Sequence, residues 1–133
     1  MRLLIMLGAL GLAGCTANAE MQASRQAEAA RDLAKALEGR VAGKPQNCLP
    51  LSPSSMNGPQ IIDQTTILYR DGKRVWRTTL ASECPSLGRD DILVVEMNGS
   101  QVCRNDLFRP VDRGSQIPGA FCRFGDFTPY VKQ

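Results

Sequence analysis

The sequence predicts a mainly β domain, a small antiparallel barrel or sandwich, preceded by one N-terminal helix and clipped by two disulfides. Apolar residues alternate with a period of two only from residue 61 onward, a pattern typical of strands. An Asp-Gly and an Asn-Gly pair separate such runs, and these dipeptides are strong hairpin signals. An even number of cysteines in a small exported domain indicates disulfides, and four lie here: Cys48, Cys84, Cys103 and Cys122.

The composition sets the size of the domain and excludes some classes of site. A chain of 133 residues is long enough for one domain. Its net charge of +3 is far from the strongly basic footprint of a nucleic-acid-binding protein, so no nucleic-acid partner is expected. The sequence has no histidine, which excludes a Ser-His-Asp or Cys-His site within one chain and any His-ligated metal.

The N-terminal residues have the pattern of an export signal. Arg2 is followed by an uncharged run at residues 3–13, which is shorter than the ~20 residues that span a bilayer and fits a signal peptide. The run ends in Leu-Ala-Gly-Cys at residues 12–15, and this order resembles the bacterial lipobox. The resemblance implies that residues 1–14 are removed and that Cys15 is lipidated. An ordinary signal peptide with a chance cysteine is the alternative.

The same resemblance predicts where the protein resides. Two or more acyl chains on Cys15 anchor a protein stably to a membrane. Thr16 stands where many inner-membrane lipoproteins of enterobacteria have Asp, which favours the outer membrane. We therefore expect a palmitate-bearing lipoprotein of the bacterial cell envelope that faces the periplasm. Its contact with the membrane is through this lipid, and no cofactor is expected.

Residues 15–45 are predicted to form a lipidated tether and a helix, and residues 46–133 the β domain. An Ala-rich stretch without Pro predicts the helix at residues 20–40. Small and apolar residues at spacings of three and four predict its buried stripe: Ala23, Ala27, Ala30, Ala34, Leu37 and Val41. We expect a stalk or a helix that lies on the domain. A coiled-coil seam is the alternative, which a stripe of Ala would hold poorly.

The four cysteines of the domain allow three pairings, which the sequence alone does not separate. No Cys-x-x-Cys pair occurs, which disfavours a zinc site or a thioredoxin-like redox pair. We favour Cys84–Cys103, which would clip a local hairpin, together with Cys48–Cys122, which would tie the start of the domain to its end. A redox-sensing or exchange site is the functional alternative.

Two hairpins are expected in the middle of the domain. In the first, a two-residue turn at Asp71-Gly72 would place Ile67 opposite Trp76 and put Arg74 beside the ring of Tyr69. The core face of this hairpin is then predicted to carry four side chains: Ile67, Tyr69, Trp76 and Leu80. In the second, a turn at Asn98-Gly99 would place Val94 opposite Cys103. Because residues 92–95 are apolar on both faces, they predict a central strand.

The remainder of the chain holds two short strand candidates, at residues 107–111 and 120–124. Five pieces between Cys48 and Phe127 form a recognisable pattern: Cys48, residues 70–73, residues 80–84, residues 101–106 and residues 121–122. By these pieces the stretch resembles an uncharacterised family of small four-cysteine envelope proteins of Gram-negative bacteria. The resemblance implies a fold and a compartment but no activity. In that pattern a Gly more often stands at the position of Asn105.

The sequence offers one candidate binding surface. Arg104, Arg109 and Arg123 are interspersed with Phe residues and form a candidate anion-binding patch for a glycan, a lipid phosphate or an acidic protein surface. The structural alternative is a core of Phe with Arg on the solvent face. Asp90-Asp91 is read as a solvated turn, since a calcium site needs six or more oxygen ligands.

Three functional hypotheses follow. The first is a non-catalytic envelope module that binds an envelope protein or glycan. The second is a glycan hydrolase that uses two carboxylates, which requires both acids to converge in a cleft. The third is a purely structural lipoprotein, which would have no exposed apolar or aromatic patch. We favour the first, because the sequence shows no catalytic set and no metal site.

Overall fold

A computed structural model describes the main chain at residues 13–50 and 58–133, and side chains from residue 18 onward. The predicted signal sequence up to residue 12, the side chain of Cys15 and residues 51–57 of a Pro- and Ser-rich loop lie outside the described residues. Within these ranges, no helix is both long and apolar enough to cross a membrane.

The described residues form one helix and ten strands. The helix α1 spans Ala13–Leu37. The strands are β1 Arg40–Ala42, β2 Cys48–Leu49, β3 Gln60–Ile61, β4 Thr66–Asp71, β5 Arg74–Thr79, β6 Ile92–Glu96, β7 Val102–Cys103, β8 Leu107–Val111, β9 Cys122–Arg123 and β10 Phe127–Lys132.

The strands form three antiparallel sheets, so the predicted mainly β class is confirmed. A large sheet has the order β1-β10-β5-β4-β3, a ribbon pairs β2 with β7, and a small sheet has the order β6-β8-β9. None of them closes on itself in the described part of the chain, and the barrel alternative is therefore wrong. The helix packs on one face of the large sheet, and the ribbon and the small sheet pack on the other.

The main core lies between the large sheet and the two smaller ones. Trp76 and Phe127 of the large sheet are fully buried, as are Phe108 and Phe124 from the opposite layer. The ring centroids of Phe108 and Phe124 lie 4.5 Å apart, and those of Phe124 and Phe127 lie 5.7 Å apart. The core face predicted for the first hairpin is confirmed, since all four of its side chains belong to this core.

The helix contacts the other face of the large sheet with a different stripe from the predicted one. Ala29 and Ala36 are buried there, with Leu33 and Leu37 partly buried beside them. The predicted stripe is wrong at five of its six positions, which are exposed: Ala23, Ala27, Ala30, Ala34 and Val41. Alanines occur on several sides of this helix, so their spacing alone did not define its buried face. The burial follows Leu33 and Leu37, which are larger.

The helix, Ala13–Leu37, begins and ends earlier than the predicted residues 20–40.

The helix contacts the large sheet in its second half. It packs there against three fully buried aliphatic side chains: Ile62, Leu68 and Val75. Arg89, in the loop between β5 and β6, pairs with Glu28 at 3.0 Å and with Asp32. These contacts lie in the second half of the helix. Its described side chains from residue 18 to residue 28 are all exposed.

The first hairpin exists, but its register differs from the predicted one by two residues. Tyr69 is opposite Trp76, and Asp71 is opposite Arg74, so the turn residues are Gly72 and Lys73. Gly72 has φ 56°, which suits a turn with Gly at its first central position. A slip of two residues leaves every side chain on its predicted face. The guanidinium of Arg74 consequently lies over Trp76, at 5.5 Å from the ring centroid, instead of over Tyr69.

The second predicted hairpin is wrong. β6 pairs with β8, so that Val94 lies opposite Arg109 and not opposite Cys103. Cys103 lies on β7, which pairs with β2. β6 is therefore an edge strand of the small sheet and not a central one. The Asn98-Gly99 segment is a loop between the small sheet and the ribbon, with Gly99 at φ 118°.

The favoured disulfide pairing is also wrong. The bonds are Cys48–Cys103 and Cys84–Cys122. Cys48 and Cys103 face each other across the ribbon. The second bond joins the loop after β5 to β9, so it holds the large sheet to the small one. The error followed from the predicted second hairpin, which would have brought Cys103 next to the loop that contains Cys84.

The strand β10 was not predicted, because Pro129 lies in its middle. Proline lacks an N–H and is rare in central strands. The carbonyl of Pro129 accepts from Gly43 N at 2.7 Å, so the hydrogen-bonding side of this residue faces the end of β1. The missing donor thus faces the short strand β1 and not β5. Pairing with β5 continues on both sides of the proline.

Candidate functional site

The structure places two of the three candidate arginines on one surface. Arg109 lies on β8 and Arg123 on β9, and the register Leu107–Arg123 makes the two arginines diagonal neighbours on the same face. This face points away from the core, because Phe108, the next residue on β8, is fully buried. Arg104 lies in the turn after β7 and pairs with Asp126 at 3.3 Å.

The turn that carries Arg104 is fixed by the main chain around it. Asn105 has φ 71°, a left-handed conformation that Gly adopts freely and Asn tolerates better than most residues. The side chain of Asp106 accepts from Cys103 N at 2.8 Å. Arg123 Nη1 donates to the carbonyl oxygen of Asn105 at 3.2 Å. This contact brings the side chain of Arg123 to the turn of Arg104, while Arg109 lies further along the sheet.

The outward-facing surface of the small sheet, termed the outer sheet face, is partly apolar. It carries Ile92, Val94, Arg109, Phe121 and Arg123. The relative exposure is 38% for Ile92, 52% for Val94 and 46% for Phe121. Single exposed apolar residues are ordinary, but a contiguous group on one face marks interaction sites in soluble domains.

Arg109 is held at the centre of the outer sheet face. Its guanidinium carbon lies 4.0 Å from the ring centroid of Phe121, a cation–π contact. Its main chain pairs with that of Val94 on β6. The Nε of Arg109 is buried and has no hydrogen-bond partner among the described residues. An arginine stacked on an aromatic ring and surrounded by aliphatic side chains has the composition of a protein-binding hot spot.

The predicted alternative of a Phe core with solvent-facing Arg is therefore confirmed only for part of the set. Phe108 and Phe124 are in the core, whereas Phe121 is exposed and stacks with Arg109. The alternation at residues 120–124 placed Phe121 and Arg123 on one face and Phe124 on the other, but it did not show which of the two faces is buried.

Two carboxylates line a shallow depression of about 350 Å³ beside the small sheet, but both accept hydrogen bonds from residues of their own loops. Asp91 accepts from Gly88 N at 2.7 Å. Asp112 Oδ1 accepts from the N–H of Ser115 at 2.6 Å, from its hydroxyl at 2.7 Å and from Gly114 N at 3.1 Å. The hydrogen bonds from Ser115 lower the pKa of Asp112 below its ordinary value. A glycosidase acid needs a raised pKa, so Asp112 is unsuited to that role.

The cysteines and acids do not form a metal site in the described ranges 13–50 and 58–133. No group of three or more Cys, Asp or Glu side chains is placed to hold an ion there. The four cysteines of the domain are occupied in disulfides. Asp90 and Glu96 are exposed at either end of β6.

Comparison with known proteins gives no family assignment. No protein-family model matches the sequence, no characterised protein matches it, and no solved structure matches its fold.

Proposed function

We propose that this chain is a lipid-anchored protein of the bacterial cell envelope that faces the periplasm and acts as a non-catalytic interaction module. The lipobox resemblance at residues 12–15 supports the anchor on Cys15 and, with Thr16, the outer membrane. Two disulfides are consistent with an oxidising compartment.

The observation that carries the interaction role is the outer sheet face. Ile92, Val94 and Phe121 expose apolar surface that the fold does not use, around a central Arg109. A purely structural lipoprotein gives no reason for such a patch. The hydrolase alternative has no observation in its favour, because the only carboxylates lining the described depression, Asp91 and Asp112, cap their own loops.

Site-specific photo-cross-linking in living cells tests this role. A photoreactive amino acid replaces Val94, and in a matched control it replaces Val131, a strand valine that is 44% exposed at the end of β10. We expect a discrete cross-linked species from position 94 and none from position 131. Cross-links of equal yield at both positions, or none at position 94, would contradict an interaction role for the outer sheet face.

A further inference from the structure

β6 is the only long free edge among the strands that the structure describes. The large sheet ends in β1 and β3, which have three and two residues, and β9 at the other edge of the small sheet has two. β6 has five residues, of sequence Ile-Leu-Val-Val-Glu. Proteins ordinarily protect an edge by short length, by Pro or by charge, particularly Lys. Of these protective features, β6 has only one charged residue, Glu96, at its end.

The free side of β6 offers unpaired main-chain groups. All five residues pair with β8, and in an antiparallel pair alternate residues direct their N–H and C=O away from the partner. No hydrogen bond joins residues 92–96 to any other element in the described part of the chain. Next to this edge, Ile92 and Val94 expose their side chains on the outer sheet face.

We propose that β6 binds an extended segment of a partner protein, which adds as an antiparallel strand and carries an apolar centre flanked by basic residues. The inference deepens the interaction role proposed above and rests on it, but it does not depend on the lipid anchor. In strand addition, main-chain hydrogen bonds provide affinity and alternate side chains provide specificity.

The charges next to β6 indicate which partner sequence fits. Glu96, the last residue of β6, is exposed on the same face as Ile92 and Val94. Asp90 is exposed in the turn before β6, where its main-chain carbonyl accepts a hydrogen bond from Arg113 Nε at 3.2 Å. Arg89, the nearest base in sequence, is engaged by two acids of the helix. An added strand would therefore lie beside the two aliphatic side chains, with the carboxylate of Glu96 at one end and the turn that carries Asp90 at the other. Opposite charges across strands stabilise the pair and like charges destabilise it.

The same charges disfavour a second copy of this chain as the occupant. A twofold axis through Val94 would set Glu96 opposite Ile92 of the other copy, next to the turn that carries the other Asp90. The symmetry would create this like-charge contact twice. A segment of a different protein, with basic residues on both sides of its apolar centre, would not create this like-charge contact.

Two short peptides test the proposal on the purified full chain. The basic probe reads Lys-Thr-Val-Thr-Val-Thr-Lys, and the acidic probe has Glu in place of both Lys. We expect the basic probe to slow amide hydrogen exchange at residues 92–96 and to bind about fivefold tighter than the acidic one, the order expected for cross-strand charge pairs. Equal binding of the two probes, or protection elsewhere in the chain, would overturn the proposal.

Charge reversal provides the matched variants. Glu96→Lys should remove most of the preference for the basic probe, whereas Glu38→Lys, the same change at an exposed residue just after the helix, should keep it. A preference that survives Glu96→Lys overturns the assigned chemistry. Concentration-dependent dimers that protect residues 92–96 without a probe would identify a second copy as the occupant, against the proposal. Photo-cross-linking at Val94 combined with equal binding of the probes would leave the interaction role standing and refute only the strand chemistry.

Discussion

Single residues with unusual main-chain geometry fix the turns of this fold. Asn105 is one of two non-Gly residues with positive φ in the described ranges, and it lies between two hydrogen-bonded segments. Its N–H donates to Phe124 O at 3.0 Å, and Arg123 donates to its carbonyl. The presence of Asn where the resembling pattern more often has Gly left the turn conformation open, because one sequence does not reveal the value of φ.

Replacement of Asn105 tests this conformation. Asn105→Ala should destabilise the protein by about 1 kcal/mol, since a Cβ-bearing residue without a local polar group disfavours the left-handed region. Asn105→Gly should be neutral or slightly stabilising, because Gly adopts that region freely. The midpoints of urea unfolding give both values. An equal loss of unfolding free energy in the two variants would mean that the side chain of Asn105, and not its φ, stabilises the turn.

Gly125 shows a steric requirement that no sequence pattern indicated. A Cβ at this position would lie 1.8 Å from the carbonyl oxygen of Thr79, which is main chain and cannot rotate away. Gly125→Ala should therefore destabilise by about 3 kcal/mol or more. Gly114→Ala is the control, since its Cβ would be 3.5 Å from its nearest neighbour, an ordinary contact. If thermal unfolding shows equal midpoints for the two variants, the close approach of residue 125 to β5 is wrong.

At the scale of elements, the sequence patterns predicted strands in the regions of β4 to β9 and missed β1, β2, β3 and β10. β4, β5 and β8 were predicted, because their β-branched and aromatic residues alternate. β1, β2 and β3 are two or three residues long and have no period to detect. The edge position of β6 was also hidden, since a strand that is apolar on both faces is usually central. The helix was predicted by its composition, but its face was decided by Leu33 and Leu37.

Two neighbouring alanines test which side of the helix is buried. Ala29→Glu should destabilise by about 2 kcal/mol, because it places a carboxylate against Ile62, Leu68 and Val75. Ala30→Glu should have little effect, because Ala30 is exposed. Chemical unfolding measures both. A larger effect at residue 30 would restore the stripe that the sequence predicted.

The loop after β8 gives a prediction for pH. The pKa of Asp112 is lowered in the folded state, so its contribution to stability is complete above the ordinary value of 3.8 and is lost as the pH falls through the lowered pKa. Ser115→Ala removes the hydroxyl donor and should raise the pKa of Asp112 toward the ordinary value. An NMR titration of the carboxyl carbon measures it. An unchanged pKa in the variant would mean that the main-chain donors alone set it.

At the scale of the whole molecule, two disulfides add stability to a chain whose buried side chains form two separate clusters, one on each face of the large sheet. The two bonds close loops with sequence separations of 55 and 38 residues, and chain entropy gives about 4 kcal/mol for each. Typical domains have a net stability of roughly 5–15 kcal/mol, so these bonds are a large share of the total. The sequence predicted two disulfides from the cysteine count, but the pairing depended on sheet topology that local patterns do not encode.

One measurement tests both the proposed lipid anchor on Cys15 and the two disulfides. Mass spectrometry of the chain purified from bacterial membranes, intact and after non-reducing digestion, reports the modification of Cys15 and the cysteine pairs together. We predict an N-terminal fragment that begins at an acylated Cys15, one linked pair containing Cys48 and Cys103, and a second containing Cys84 and Cys122. A chain that keeps Met1 and has four free thiols in the domain would contradict the account.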